Sequence, residues 1–258
     1  MYFQNSTQLG WWFLAELIGT FILIIFGNGA VAQVNLKKMA TSETKAKFLT
    51  VALTWGIGVL FGVLTANAIF KGSGHLNPAI SLFYAINGSI KSPTALIWPG
   101  FVIGILAQFL GAMIAQTTLN FLFWKQLSST DPQTVLAMHC TSPSVFNITR
   151  NFLTEFIATL ILIGGVVAAS HFLHNNPNSV PPGFMGLWLV AGIIIAFGGA
   201  TGSAINPARD LGTRIVFQLT PIKNKDANWK YSWIPVIAPL SAGLVLSIII
   251  GFSPAPVL

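Results

Sequence analysis

The apolar residues of this chain fall in long blocks parted by short polar stretches. Six blocks, at about residues 11–34, 48–70, 94–124, 150–172, 183–200 and 233–252, are near or above the roughly 20 helical residues that cross a hydrocarbon core. They predict six transmembrane helices. Two further apolar segments, residues 77–87 and 206–219, are too short to span and predict half-helices that enter the membrane and stop inside it. Between them run a lysine-rich loop at 35–47, a plainly polar connection at 125–148, a turn-rich loop at 171–182 and a charged loop after residue 219.

Both half-helices open alike. Gly72-Ser73-Gly74-His75-Leu76-Asn77-Pro78-Ala79 is echoed by Thr201-Gly202-Ser203-Ala204-Ile205-Asn206-Pro207-Ala208-Arg209. Asn at an N-cap accepts from orphan helix amides, and Pro at the first helical position lacks only an N–H that would go unbonded there. The order is three spans with a half-helix after the second, then the same again. Ala15-Glu16-Leu17-Ile18-Gly19-Thr20 also matches Thr154-Glu155-Phe156-Ile157-Ala158-Thr159 in residue type at nearly every place. Three spans is an odd number, so two such copies insert in opposite senses, as in the inverted repeats of transport folds. The expected architecture is one membrane domain over residues 1–258, with repeats at about 11–124 and 150–252.

Composition agrees. Of the 258 residues, 53% are hydrophobic and 7% charged, with a mean hydropathy of +0.72. A soluble domain is about a quarter charged, so this chain belongs in a bilayer. The formal charge of +7 sits on scattered loop lysines without an aromatic-interleaved patch, which argues against a nucleic-acid partner. Cys140 is the one cysteine and has no ligand cluster beside it in sequence, so neither an internal disulfide nor a metal site is expected. Residues 1–10 lack the basic start of a signal peptide, and Tyr2-Phe3-Gln4 is assigned no function.

These residues resemble the aquaporin, or major intrinsic protein, family. The likeness is carried by the paired Asn-Pro-Ala, Gly-His-Leu-Asn-Pro-Ala, Ala-Glu-x-x-Gly-Thr, Ala-Gln-x-x-Gly-Ala around Gln108, and Asn-Pro-Ala-Arg-Asp, and it covers residues 15–251. The resemblance implies an all-α fold of six transmembrane and two re-entrant half-helices in an inverted repeat. It also implies a passive channel without cofactor or metal, a homotetramer in the cell membrane with a pore in each subunit, and cytoplasmic termini. Polar backbone is tolerated at membrane depth only where it lines water. Gly72, Ser73, Gly74, His75, Leu76, Thr201, Gly202, Ala204 and Ile205 are therefore expected to offer carbonyls to solute hydroxyls. Asn77 and Asn206 are expected where the half-helices meet, each N-terminus presenting about half a positive charge that repels cations. A bare ion already faces roughly tens of kcal/mol by Born reasoning.

The resemblance places a selectivity filter at Trp55, Ile194, Ser203 and Arg209. Arg209 offers a fork of donors, and a Trp face lets methylene groups slide past. Trp55, Asp210, Arg214 and Pro235 lean toward the glycerol-conducting branch of the family. Ile194 and Ser203 depart from it, standing where that branch usually has Gly and Phe. Water-selective members carry a His on the fifth span, and residues 183–200 contain none. Glycerol-like solutes, with water, are the expected cargo. The alternatives are a water-selective channel, a secondary transporter, and an adhesion protein on the same fold. An enzyme is not expected, since no polar stretch brings together a nucleophile, a base and an orienting acid.

Of two readings of Glu16 and Glu155, as proton-relay acids or as acceptors for the amides of the two re-entrant loops, their equivalent places in both repeats favour the second, loop-supporting one. Asp210 is expected to support the second loop. His75 is read as a hydrogen-bonding support or a pH sensor. Trp11 and Trp12, with Trp98, Trp124, Trp229 and Trp233, suit the membrane interface. Cytoplasmic termini place the lysine-rich 37–47 and 223–230 loops outside, the reverse of the usual positive-inside bias.

Overall fold

The computed structural model describes residues 3, 5–91, 93–176, 180–181 and 183–253. Six helices in it are long and apolar enough to cross a membrane. They are α1 (Ser6–Asn35), α2 (Lys47–Ile69), α4 (Ile97–Leu122), α7 (Ile148–Asn175), α8 (Phe184–Thr201) and, joined through the turn α10 (Trp229–Ser232), α11 (Ile234–Gly251). The expected half-helices are α3 (Pro78–Lys91) and a π-helix (Ala208–Gly212) that continues as α9 (Thr213–Leu219). No strand occurs among the described residues.

Local chemistry sets several helix starts. Asn5 accepts from the Gln8 amide at 3.0 Å and Asn147 from the Arg150 amide at 2.9 Å, each capping the first turn of a span. The spans are apolar on every side, because one side meets protein and the other lipid. Phe121 is 80% exposed and Phe252 75%, exposures that suit hydrocarbon contact.

The spans form two triplets. In one, α1 packs on α2 and α4; in the other, α7 packs on α8 and α11, and α2 meets α8 between them. Each half-helix leans across to the other triplet. Thus α3 lies mainly against α11, while the π-helix and α9 lie against α4. Glycines allow the closest crossings: a Cβ at Gly56 would stand 2.3 Å from the Leu187 carbonyl oxygen, so α2 and α8 touch backbone to backbone.

Several expectations are corrected. The connection at 125–148 holds two short helices, α5 (Trp124–Leu127) and α6 (Pro132–Ala137), and buries Leu127, Val135, Leu136 and Met138 in a second core with Leu36 and Phe217. Asp131-Pro132 is the cause: the Asp carboxylate accepts from the Thr134 amide at 2.9 Å, and Pro takes the first helical position. Trp12 is not an interface anchor; it is 1% exposed and donates Nε1 to the Gly100 carbonyl at 3.0 Å, whereas Trp11 is 51% exposed. Phe3 is built into the fold, its ring 5.5 Å from Trp12 and 6.3 Å from Phe70; Tyr2 and Gln4 lie outside the described residues. The first residues of the 171–182 loop are the last turn of α7, and residues 177–179 and 182 lie outside the described residues.

Candidate functional site: a divided path between the half-helices

The two Asn-Pro-Ala segments meet. Asn77 Oδ1 accepts from the Ala79 amide at 2.9 Å, and Asn206 Oδ1 from the amides of Ala208 at 3.1 Å and Arg209 at 3.3 Å. Each Asn also donates Nδ2 across the junction, Asn77 to the Ile205 carbonyl and Asn206 to the Leu76 carbonyl, both at 2.7 Å. Those two carbonyls are thus partly engaged by protein, and each Asn keeps one amide hydrogen in hand. Pro78, Ala79, Pro207 and Ala208 form the buried helix starts behind them.

The loops before the Asn residues are held in left-handed conformations that L-residues rarely adopt. Leu76 has φ +53° and Ile205 φ +44°; two residues earlier Gly74 has φ +100° and Ser203 φ +45°. What fixes them is a buried carboxylate behind each loop. Glu16 accepts from the amides of Gly74, His75 and Leu76 at 2.7, 2.8 and 2.8 Å and from Gln108 Nε2 at 2.8 Å. Glu155 accepts from the amides of Ala204 at 3.0 Å and Ile205 at 2.8 Å. With the amides turned onto the carboxylates, the loops' carbonyl side is left for the cavity. The geometry is that of structural acceptors.

Two cavities lie along this region, and the junction borders the larger one. The larger, about 460 Å³, is bordered by Asn77, Asn206, His75, Gly72 to Leu76 and Ser203 to Ile205, and reaches Asn67 and Gly183. The smaller, about 200 Å³, is bordered by Gln133, Cys140, Thr141 and Gly202 at the end that carries the 36–46, 123–147 and 220–228 loops. Trp55, Ile194 and Arg209 border both, so these three residues stand between them. Arg209 Cζ lies 4.7 Å from the centre of the Trp55 ring. Gly27 makes room for that ring, since a Cβ there would fall 2.3 Å from its atoms. The Arg209 guanidinium has Asp210 Oδ2 at 3.8 Å from Nη1, and Nη1 makes no hydrogen bond within the described residues.

Two expected members sit differently. Of the two cavities Ser203 borders only the larger, and its hydroxyl is buried without a partner among the described residues, so it does not join the three residues at the division. Thr201 is the last residue of α8 and borders neither cavity; its hydroxyl accepts from the Ser203 amide at 3.3 Å. The α8 helix ends five residues before Asn206, whereas α2 ends eight before Asn77, so α8 runs further into its loop.

The loops rest on a set of supporting residues, of which Asn67 and Gln108 have no role assigned from the sequence, whereas His75 and Asp210 do. Asn67, near the end of α2, donates to the Ser73 carbonyl at 2.8 Å and accepts from the Gly72 amide at 3.1 Å, tying down the first loop's entrance. A lone Asn in an apolar span next to a re-entrant loop was the available signal. Gln108 bridges Glu16 to Ser81 Oγ, 2.9 Å from Nε2. His75 packs between Trp12 and Tyr84, with ring centres at 4.8 Å from each, and its Nδ1 lies 3.1 Å from Ser81 Oγ. Asp210 takes Arg214 Nε and Nη2 at 3.0 and 2.7 Å on one oxygen, and the Thr141 amide and hydroxyl at 2.7 and 2.6 Å on the other. It thereby pins the 123–147 loop beside Arg209. The i,i+4 spacing of Asp210 and Arg214 was legible as a helix pair.

A fold of six spans and two re-entrant half-helices, with a path divided by Trp55, Ile194 and Arg209, defines a membrane channel architecture. The chain belongs to the major intrinsic protein family, whose model matches residues 5–250. It is 53% identical to a probable glycerol uptake facilitator protein of Mycoplasma pneumoniae, over 96% of this chain and 97% of that one. It is 38% identical to the glycerol uptake facilitator protein of Bacillus subtilis, over 90% of this chain and 80% of that one. Among solved structures it resembles the aquaglyceroporin from Plasmodium falciparum, with a TM-score of 0.77 and 28% identity over 96% of this chain and 98% of that one.

Proposed function

We propose that the chain is a passive channel for glycerol and similarly small uncharged polyols, that water follows the same path, and that Trp55, Ile194 and Arg209 form its selectivity filter. The observation that carries this reading is their place between the two cavities, which sets an aromatic face and a branched aliphatic chain beside a guanidinium with donors in hand. A polyol has two unlike sides. Its hydroxyls suit the Arg209 donors and its CH groups suit Trp55 and Ile194. Ser203 stands just past the filter on the side of the larger cavity. The printed names of the relatives from Mycoplasma pneumoniae and Bacillus subtilis support glycerol as the solute.

Ion exclusion follows from three features acting together: the Arg209 charge, the paired helix N-termini, and a path too apolar to replace a hydration shell. Passive conduction is supported by Glu16 and Glu155, whose oxygens are taken up by loop amides. No catalytic group, cofactor or metal takes part in this reading. The two triplets are read as inverted copies, since each carries a carboxylate on a loop, an Asn-Pro-Ala helix start and a donor to the other loop. From the family we take a homotetramer with cytoplasmic termini, which puts the smaller cavity outside.

One observation favours a second reading. Ile194 is a bulky residue at the division, and narrowing there favours water over polyols. Uptake of labelled glycerol into proteoliposomes, with and without a protonophore, separates the readings. Protonophore-independent uptake above protein-free vesicles supports the channel; uptake at the protein-free rate with fast water flux supports the water-selective reading.

A further inference from the structure

We propose that the junction of α7 and α11, at the end bearing the 36–46, 123–147 and 220–228 loops, is a binding site for an anionic phospholipid headgroup, held by Arg150 and Lys230. That these loops share one end is fixed by hydrogen bonds between them: the Lys37 amide to Thr130 Oγ1 at 2.9 Å, and Asn228 Nδ2 to Ser142 Oγ at 3.2 Å. Charge is concentrated there. Residues 36–47, 123–150 and 220–230 hold nine Lys or Arg against three Asp or Glu, while the other end has Lys71 and Lys91.

Within that field one place has the shape of a lipid. Arg150 lies in the first turn of α7 and Lys230 in α10, just before α11; both are exposed, and neither forms an ion pair among the described residues. Lys230 Nζ stands 5.3 Å from the centre of the Phe146 ring, and Phe146 is itself 44% exposed. Below Arg150, at the i+3, i+7 and i+11 positions of the same helix face, come the exposed apolar residues Leu153, Ile157 and Ile161. Below Lys230 come exposed Trp233, Ile237 and Leu244, and α7 packs along α11. Each cation thus heads an apolar stripe that descends into the membrane, beside aromatic rings at headgroup depth. An amphiphile with a negative head and acyl tails matches both parts at once; a free anion matches only the head. A lysine or arginine near an anionic headgroup strengthens binding by roughly fivefold, so two give a preference on the order of 25-fold over a zwitterionic lipid.

The test is native mass spectrometry of the delipidated protein titrated with phosphatidylglycerol or phosphatidylcholine, with glycerol uptake and melting temperature as folding controls. The wild type is expected to retain phosphatidylglycerol in preference, and R150Q/K230Q to lose that preference while still conducting. K37Q/K38Q removes the same charge from the same end and is expected to leave it intact. Should the double variant not fold, R150Q and K230Q singly are each expected to show a partial loss. Undiminished retention in R150Q/K230Q or in both single variants, equal loss in K37Q/K38Q, or displacement of the lipid by inorganic phosphate would overturn the proposal.

Discussion

Asn77 and Asn206 are cross-tied: each side-chain amide donates at 2.7 Å to the carbonyl that precedes the other Asn, through Ile205 and Leu76. The junction of the two half-helices is therefore a hydrogen-bonded pair as well as a meeting of helix ends. Replacing either Asn by Ala removes the cross-tie and a helix cap together, worth about 1–3 kcal/mol. A fall of several degrees in melting temperature is expected for each variant. Equal melting of wild type and N206A would show that the tie contributes nothing.

Glu16 and Glu155 are acceptors on every side that the structure describes. Glu16→Gln keeps the shape but turns an NH₂ toward groups that already donate, and each hydrogen bond to the charged form is worth about 1.5–3 kcal/mol. The yield of folded E16Q is expected to drop steeply, while Gln108→Leu, which removes one donor of four, is expected to be milder. Full folding of E16Q with loss of transport alone would return these residues to the proton-relay reading.

Gly27 faces the Trp55 ring with no space for a side chain. Gly27→Val places branched carbon where the indole sits and moves the ring off Arg209. Glycerol flux per folded protein is expected to fall by about tenfold or more, on the scale of a lost cation–π contact and a displaced wall. Unchanged flux in G27V would mean that the Trp55 position does not govern conduction.

Ile194 and Arg209 divide selectivity between bulk and charge. Ile194→Gly is expected to raise the glycerol-to-water flux ratio, because it widens the division without removing a donor. Arg209→Leu is expected to lower glycerol selectivity over urea and to admit ions, since it removes both the donors and the repelling charge. The ratio of the two fluxes in stopped-flow traces is the readout, and an unchanged ratio in I194G would exclude Ile194 from the filter.

His139 lies outside the spans, buried within the 123–147 loop, and burial pushes its pKa down to about 4 from the ordinary 6.5. The unfolded chain then binds the proton first as pH falls. Stability from the neutral ring is present above about pH 6.5 and is lost progressively as pH drops toward 4. Melting temperature is expected to decrease over that window and to decrease less in His139→Gln. Parallel slopes for the two proteins would contradict this.

The spans, the half-helices and the central polar residues were legible because each rests on a strong local rule. Twenty apolar residues have one use in a bilayer, and Asn-Pro at a helix start is satisfied chemistry. The Glu16 and Glu155 roles were one of two readings open in the sequence, and distances to the loop amides decide the geometry. What was not legible depends on depth and direction. Nothing local distinguishes Trp11 from Trp12, yet one faces out and the other is sealed over Gly100. Ser203 holds its expected place in the loop, but it has a left-handed backbone and a buried hydroxyl without a partner among the described residues, which counting along a motif does not reveal. The short helix α6 was announced by Asp131-Pro132 and hidden by the polarity around it.

The most direct test of the channel reading is stopped-flow light scattering of proteoliposomes stepped into hyperosmotic glycerol. The account predicts shrinkage followed by reswelling much faster than in protein-free vesicles, linear in glycerol concentration and indifferent to a proton gradient. Reswelling at the protein-free rate, or a rate that saturates and follows the gradient, would contradict it.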